Sequence, residues 1–169
     1  MEIIKAVNQL RNQGQAITRL VENVSNESAC WQPSPEDWSI LEVLNHLVDE
    51  EVLDFRQHLD HILHTPDQPW PKIDPQGWVI EKGYNQRNFA DSLENFKAER
   101  EKSIEWLMTL TNPDWQAFVT LTWGQITAGD MLASWLAHDL LHLRQLNDLK
   151  YQINAEECHP YSVQYAGEW

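Results

Sequence analysis

Apolar residues recur every three or four positions in four stretches of this 169-residue chain. That spacing places them on one face of a helix, with polar residues on the other. The four stretches cover residues 2–24, 39–64, 91–110 and 127–149. They are joined by loops, and clear strand alternation is absent. The pattern predicts an all-α fold, an antiparallel four-helix bundle with long loops, and the length suits a single domain over residues 1–169.

Capping signals mark where the second and fourth helices begin. The sequence Ser39-Ile-Leu-Glu42 is a complete capping box, and Thr127 with Asp130 forms an approximate one. The second helix is unusual because apolar residues occupy two of its sides. One side can pack inside the bundle, and the other needs a different partner, such as a second subunit. Together with tryptophan-rich loops, this feature predicts a homodimer.

The remaining segments lack sustained periodicity. Residues 25–38 contain two prolines and predict a connecting loop, and residues 65–88 contain four prolines and predict a long crossing loop. Residues 115–123 predict a short extended or 3₁₀ cover before the fourth helix. We expect the tail from residue 154 to 169 to be irregular and docked through its aromatic side chains.

Composition excludes several classes of partner. The formal net charge is −14, from 12 basic and 26 acidic side chains. Nucleic acid and anionic membrane surfaces are therefore not expected as partners, and no apolar run approaches the roughly 20 residues of a transmembrane helix. The N-terminal residues lack the features of a secretory signal, so a cytoplasmic protein is expected. Cys30 and Cys158 form no C-x-x-C pair and are interpreted as ordinary thiols.

Two histidines on the fourth helix provide the first candidate chemistry. His138 and His142 lie four residues apart, so in a helix they stack one turn apart on one face. Two imidazoles in this arrangement can share a metal ion. The residue after His138 is Asp139 rather than glutamate, so the pair is not the zinc-protease motif. An H-x-x-x-H pair alone is a weak signal, and ordinary core or surface histidines are its commoner explanation.

A third ligand would have to come from another helix. His46 is favoured because it lies early in a helix that a bundle can place beside the fourth. Three other histidines compete near the polar end of the second helix, but a solvated face is the simpler interpretation for them: His58, His61 and His64. His159 in the tail is interpreted as a surface residue. Glu50, one turn after His46, is either a proton acceptor, a partner of a ligand or a solvated carboxylate, and we assign it no catalytic role.

Two segments resemble the DinB/YfiT-like superfamily of metalloenzymes. They are Trp38-Ser-Ile-Leu-Glu-Val-Leu-Asn-His46 and Trp135-Leu-Ala-His138-Asp-Leu-Leu-His142, the latter introduced by the turn Gly124-Gln-Ile-Thr127. The resemblance spans nearly the whole chain. It implies a four-helix bundle, often dimeric, that binds a divalent metal such as zinc or nickel through His46, His138 and His142.

The resemblance leaves two functions open. The first is a metal-dependent hydrolase or thiol-dependent S-transferase, which activates water or a low-molecular-weight thiol against a small-molecule substrate. Three histidines without an evident fourth ligand favour it, since structural zinc sites usually have four. The alternative is a non-catalytic metal-binding structural or stress-response protein. The scarcity of acid–base residues beyond Glu50 favours this second function.

Overall fold

The computed structural model describes residues 2–167, and four long helices dominate this part of the chain. The first is α1 (Ile3–Val21). The second is continuous from residue 40 to 64 and consists of α3 (Ile40–Asp49), a π-helical segment (Glu50–Phe55) and α4 (Arg56–His64); we call it the α3–α4 helix. The third is α6 (Phe89–Thr109), and the fourth is α7 (Ala128–Glu157). The predicted four-helix bundle is confirmed.

Helices that follow each other in sequence are not always neighbours in the bundle. α1 packs against α6 and α7, and the α3–α4 helix packs against the same two helices. One apolar cluster joins the end of α1 to the beginnings of α3 and α6, and a second joins the beginning of α1 to the end of α4. α1 and α7 therefore run in one direction, while the α3–α4 helix and α6 run in the other. Each helix has one antiparallel and one parallel neighbour.

This topology explains the long connection of residues 65–88. α4 ends at one end of the bundle and α6 begins at the other, so the chain has to return along the bundle. It does so over the outer side of the α3–α4 helix, where the Pro71 carbonyl oxygen lies 3.0 Å from His58 Nε2 and Lys82 Nζ lies 3.0 Å from Asp49. The connection includes a short helix, α5 (Pro75–Glu81), and a 3₁₀ turn (Tyr84–Gln86). It covers the side of the α3–α4 helix on which Asp49 and His58 lie.

The predicted cover before the fourth helix is a β-hairpin. Strands β1 (Phe118–Leu121) and β2 (Gly124–Thr127) pair antiparallel, with Phe118 opposite Thr127. Within the hairpin, the side chain of Val119 on β1 is buried. The hairpin leads directly into α7, where Thr127 and Asp130 form a full capping box. The extended alternative for residues 115–123 is therefore correct for part of that segment.

Three expectations at the level of elements were wrong. A five-residue helix, α2 (Asn26–Cys30), lies within the predicted loop of residues 25–38, because Ser25 caps it. α7 continues to Glu157 instead of ending at residue 149, since neither proline nor glycine interrupts it there. In the tail, Tyr161 and Tyr165 are fully or largely exposed, so these aromatics do not dock; Trp169 lies outside the described residues.

Within the described residues, the chain has neither a membrane-spanning helix nor a disulfide bond. Over residues 2–167, none of the helices has the length and apolar content that a bilayer crossing requires. In the same part of the chain, Cys30 and Cys158 are free thiols.

Candidate metal centre

The bundle brings together the three histidines that the sequence analysis singled out. His46 lies on α3, and His138 and His142 lie on the facing side of α7. One ring nitrogen from each histidine lies within 4.8 Å of the other two. The Nε2 atoms of His138 and His142 are 3.1 Å apart. Such a cluster has the size and composition of a three-histidine metal site.

Neighbouring side chains hold the rings in place. His142 Nδ1 donates to Gln145 Oε1 at 2.8 Å, which leaves Nε2 with its lone pair directed toward His138. The Trp38 ring centroid lies 4.9 Å from that of His46, and the Phe55 ring centroid lies 5.0 Å from that of His138. Phe55 in turn stacks on Trp135. Aromatic walls therefore line two sides of the cluster.

Burial keeps the three imidazoles neutral. Burial, together with the neighbouring His142 and His138, lowers the pKa of His46 to about 2. Burial, and to a lesser extent His142, lowers the pKa of His138 to about 3. The pKa of His142 is likewise lowered by burial. Neutral imidazole is the form that binds metals, so these rings carry available lone pairs at neutral pH.

Glu50 lies against this cluster and not in solvent. Its side chain is buried, with Oε1 3.8 Å from His46 Nδ1 and Oε2 3.9 Å from His138 Nε2. Burial, and after it the neighbouring Asp54 carboxyl, raises the pKa of Glu50 to about 9. The solvated-carboxylate alternative is therefore wrong. Glu50 is also the first residue of the π-helical segment, a kind of helix distortion that is frequent at functional sites.

The donor set fits a divalent metal ion. Among residues 2–167, His46 Nδ1 and Glu50 Oε1 are buried polar atoms without a hydrogen-bond partner. Buried polar atoms are nearly always paired, so such orphans indicate a missing ion or water. Imidazole nitrogens suit zinc and nickel in particular.

The other histidines of the α3–α4 helix are not ligands of this cluster. His58 and His61 are buried, so the solvated-face interpretation is wrong for both. The crossing segment covers them: Trp70 stacks on His58 with ring centroids 4.1 Å apart and meets His61 edge-on. His58 Nδ1 also lies 2.6 Å from Asp54. His64 alone of the three fits the prediction, because it is half exposed and pairs with Asp60.

A buried ion network next to the histidines was missed from the sequence. Arg100 on α6 contacts Glu51 of the π-helical segment and Asp139 of α7, and all three side chains are buried. A signal for it existed, because Arg100 lies on the apolar stripe of α6 between Phe96 and Ile104. An arginine at such a position needs buried carboxylate partners.

The fold agrees with the comparisons. The chain belongs to the DinB superfamily, whose family model matches residues 9–146. Its structure is similar to YfiT from Bacillus subtilis, a probable metal-dependent hydrolase with an unusual four-helix bundle topology; the TM-score is 0.77 at 16% identity, covering 90% of this chain and 88% of YfiT.

A second solved structure with a similar fold is a variant of the mycothiol-dependent maleylpyruvate isomerase. The TM-score is 0.68 at 13% identity, and the match covers 86% of this chain. This chain spans 61% of the length of that isomerase. No curated protein sequence matches this chain closely enough to count as a relative.

Proposed function

We propose that this protein is a metal-dependent enzyme that binds one divalent ion, zinc or nickel, through His46, His138 and His142. The observation that carries the proposal is the cluster itself: three largely buried, neutral imidazoles whose ring nitrogens lie within 4.8 Å of one another. The likeness of the fold to YfiT, a probable metal-dependent hydrolase, supports it.

The chemistry needs only a few groups. A bound divalent ion with an open position lowers the pKa of water or of a thiol, and so supplies a nucleophile near neutral pH. Gln145 fixes the ring of His142, and Trp38 and Phe55 limit water around the cluster. Glu50 lies within 4 Å of two of the histidines; a divalent cation bound there would favour its carboxylate form, which could then accept the proton that the nucleophile loses.

The surroundings of His142 favour catalysis over a closed structural site. The His138 side chain retains 20% of its exposure, so the cluster reaches solvent. A cleft of about 540 Å³ adjoins His142 and is lined by Leu141, His142, Arg144, Gln145 and Asp148. A small-molecule substrate, or a low-molecular-weight thiol such as the one used by the similar isomerase, fits this size class. The reaction is accordingly a hydrolysis or a thiol transfer.

Metal analysis tests the proposal. We expect about one metal ion per chain in the native protein, and close to none in a His138→Ala, His142→Ala variant, because a single histidine and a carboxyl hold zinc poorly. His64→Ala is the matched control, since it removes a half-exposed imidazole remote from the cluster in sequence. Equal metal content in all three proteins contradicts the site.

A cobalt-substituted protein separates the enzymatic function from the structural alternative. Imidazole or a small thiol added to the cobalt protein should change its visible spectrum if a coordination position is open. A spectrum that is indifferent to both ligands indicates a saturated site. In that case the non-catalytic structural or stress-response function replaces the enzymatic one.

A further inference from the structure

Arg100 is the meeting point of all four long helices. Its Nε donates to Glu51 Oε1 at 2.6 Å, on the α3–α4 helix. Its Nη1 donates to the Leu10 carbonyl oxygen of α1 at 2.8 Å. Nη1 and Nη2 donate to the two oxygens of Asp139 on α7, at 2.7 and 2.9 Å. We call Arg100, Glu51 and Asp139 the arginine hub.

α1 is shaped to admit this arginine. A Cβ atom at Gly14 would lie 3.2 Å from Arg100 Cγ and 3.3 Å from Nη1, which is tighter than ordinary packing. Because glycine has no Cβ atom, this position leaves room for the side chain of Arg100. The hub separates the two apolar clusters of the bundle and is the polar layer between them.

Both carboxylates of the hub adjoin the candidate metal centre in sequence. Glu51 follows Glu50, and Asp139 follows His138. Successive residues of a helix point about 100° apart, so one residue of each pair faces the hub while the other faces the histidine cluster. On α7, His138 faces His46 when Asp139 faces Arg100. The same relation holds for Glu50 and Glu51 on the α3–α4 helix.

The geometry of the hub restricts rotation and sliding of these two helices. A two-pronged arginine–carboxylate contact has a fixed plane and fixed distances, unlike a point charge such as lysine. A rotation of α7 by one residue, or a slide by about 1.5 Å, breaks that contact. The same movement displaces His138 and His142 from His46. A metal site requires distances held within about 0.5 Å, so small shifts matter.

We propose that Arg100 is a positioning residue, which sets the register of α7 against the α3–α4 helix and thereby holds His138 and His142 opposite His46. This rests on the metal site proposed above. The two-pronged contact to Asp139 fixes this register more tightly than a contact between point charges would.

The test separates metal binding from stability. Replacement of a buried ion triad by apolar residues often preserves or raises stability, so we choose the variant Glu51→Leu, Arg100→Met, Asp139→Leu. Cobalt(II) affinity and the visible spectrum are measured together with the urea unfolding midpoint. We expect a folded protein that binds cobalt at least about tenfold more weakly than the native protein, with an altered spectrum. If the triple variant does not fold, Asp139→Asn takes its place; it keeps the side-chain shape but loses the two-pronged contact.

Leu107→Ala provides the matched control. Leu107 is buried in the same helix as Arg100 but belongs to the apolar cluster, so its truncation destabilises the bundle without touching the hub. It should bind cobalt with native affinity and spectrum despite a lower unfolding midpoint. Hub variants that also bind cobalt as the native protein does overturn the positioning role while leaving the metal site intact. A native protein that binds no cobalt overturns the metal site itself.

Discussion

Acid sensitivity of the metal-free protein tests whether the histidine cluster is buried in its neutral form. The perturbation is His46→Gln. In the folded protein the pKa of His46 is lowered to about 2 by burial, while an unfolded chain has the ordinary value of 6.5. Below pH 6.5, His46 is therefore protonated in the unfolded state but stays neutral in the folded state. Stability from this residue is complete above that pH and is lost as the pH falls toward 2.

The magnitude follows from these two values. Between pH 7.5 and pH 5, the native protein should lose about 2 kcal/mol of its free energy of unfolding through His46 alone. In His46→Gln, the free energy of unfolding should fall by about 2 kcal/mol less between these two pH values than it does in the native protein. This difference does not depend on how the substitution changes stability at pH 7.5. Glu50 acts in the opposite direction, because its raised pKa makes the folded state more stable as the pH falls from about 9. Because Glu50 is present in both proteins, its contribution cancels when the pH-dependent loss of stability in the variant is subtracted from that in the native protein.

The assay is urea unfolding of the chelator-treated protein at both pH values, followed by the fluorescence of its nine tryptophans. His64→Gln is the control, since it removes a half-exposed imidazole and leaves the cluster intact. An identical pH dependence in the native protein and in His46→Gln refutes the reasoning, because His46 would then titrate as an ordinary histidine. In that case the cluster would not be preorganised for a metal at acidic pH.

Three further predictions concern stability and assembly. Gly14→Ala should lower the free energy of unfolding by about 1–2 kcal/mol in urea, because the new methyl group crowds Arg100; an unchanged or higher value contradicts that contact. Ser39→Ala should cost about 1–2 kcal/mol in the same assay, since Ser39 caps α3 and also donates to Asn85, and no loss would contradict the cap. Light scattering should give about twice the chain mass of 19.8 kDa if the protein is the predicted homodimer, and the mass of one chain would exclude it.

Local sequence patterns predicted the parts of the fold that local physics determines. The capping boxes at Ser39 and Thr127 were read correctly because a side-chain oxygen and an acidic residue three positions later suffice to form them. The edge-on contact between the rings of His138 and His142 follows from helical spacing in the same way. His46 needed more, because its proximity depends on how two distant helices pack; the expected bundle favoured it over the other histidines, and the resemblance to a family supported the choice.

The features that were missed depend on tertiary contacts. The burial of His58 follows from the crossing segment that lies over it, and the sequence of the α3–α4 helix alone contains no trace of that cover. The π-helical segment could not be predicted from the sequence either, since its residues also suit an ordinary α-helix. The arginine hub was open to inference, because an arginine on an apolar stripe demands partners, but the identity of those partners depends on the topology.

The topology also changes the argument for a second subunit. The second side of the α3–α4 helix, which the sequence analysis left without a partner, carries His46 and Glu50 and faces α7 within the same chain. That side therefore gives no reason to expect a dimer. The better reason lies on α7, where Leu141 remains 58% exposed and lines the cleft at His142. A dimer formed through this face would bring a second chain to the edge of the histidine cluster, so assembly and access to the candidate metal centre would depend on the same surface.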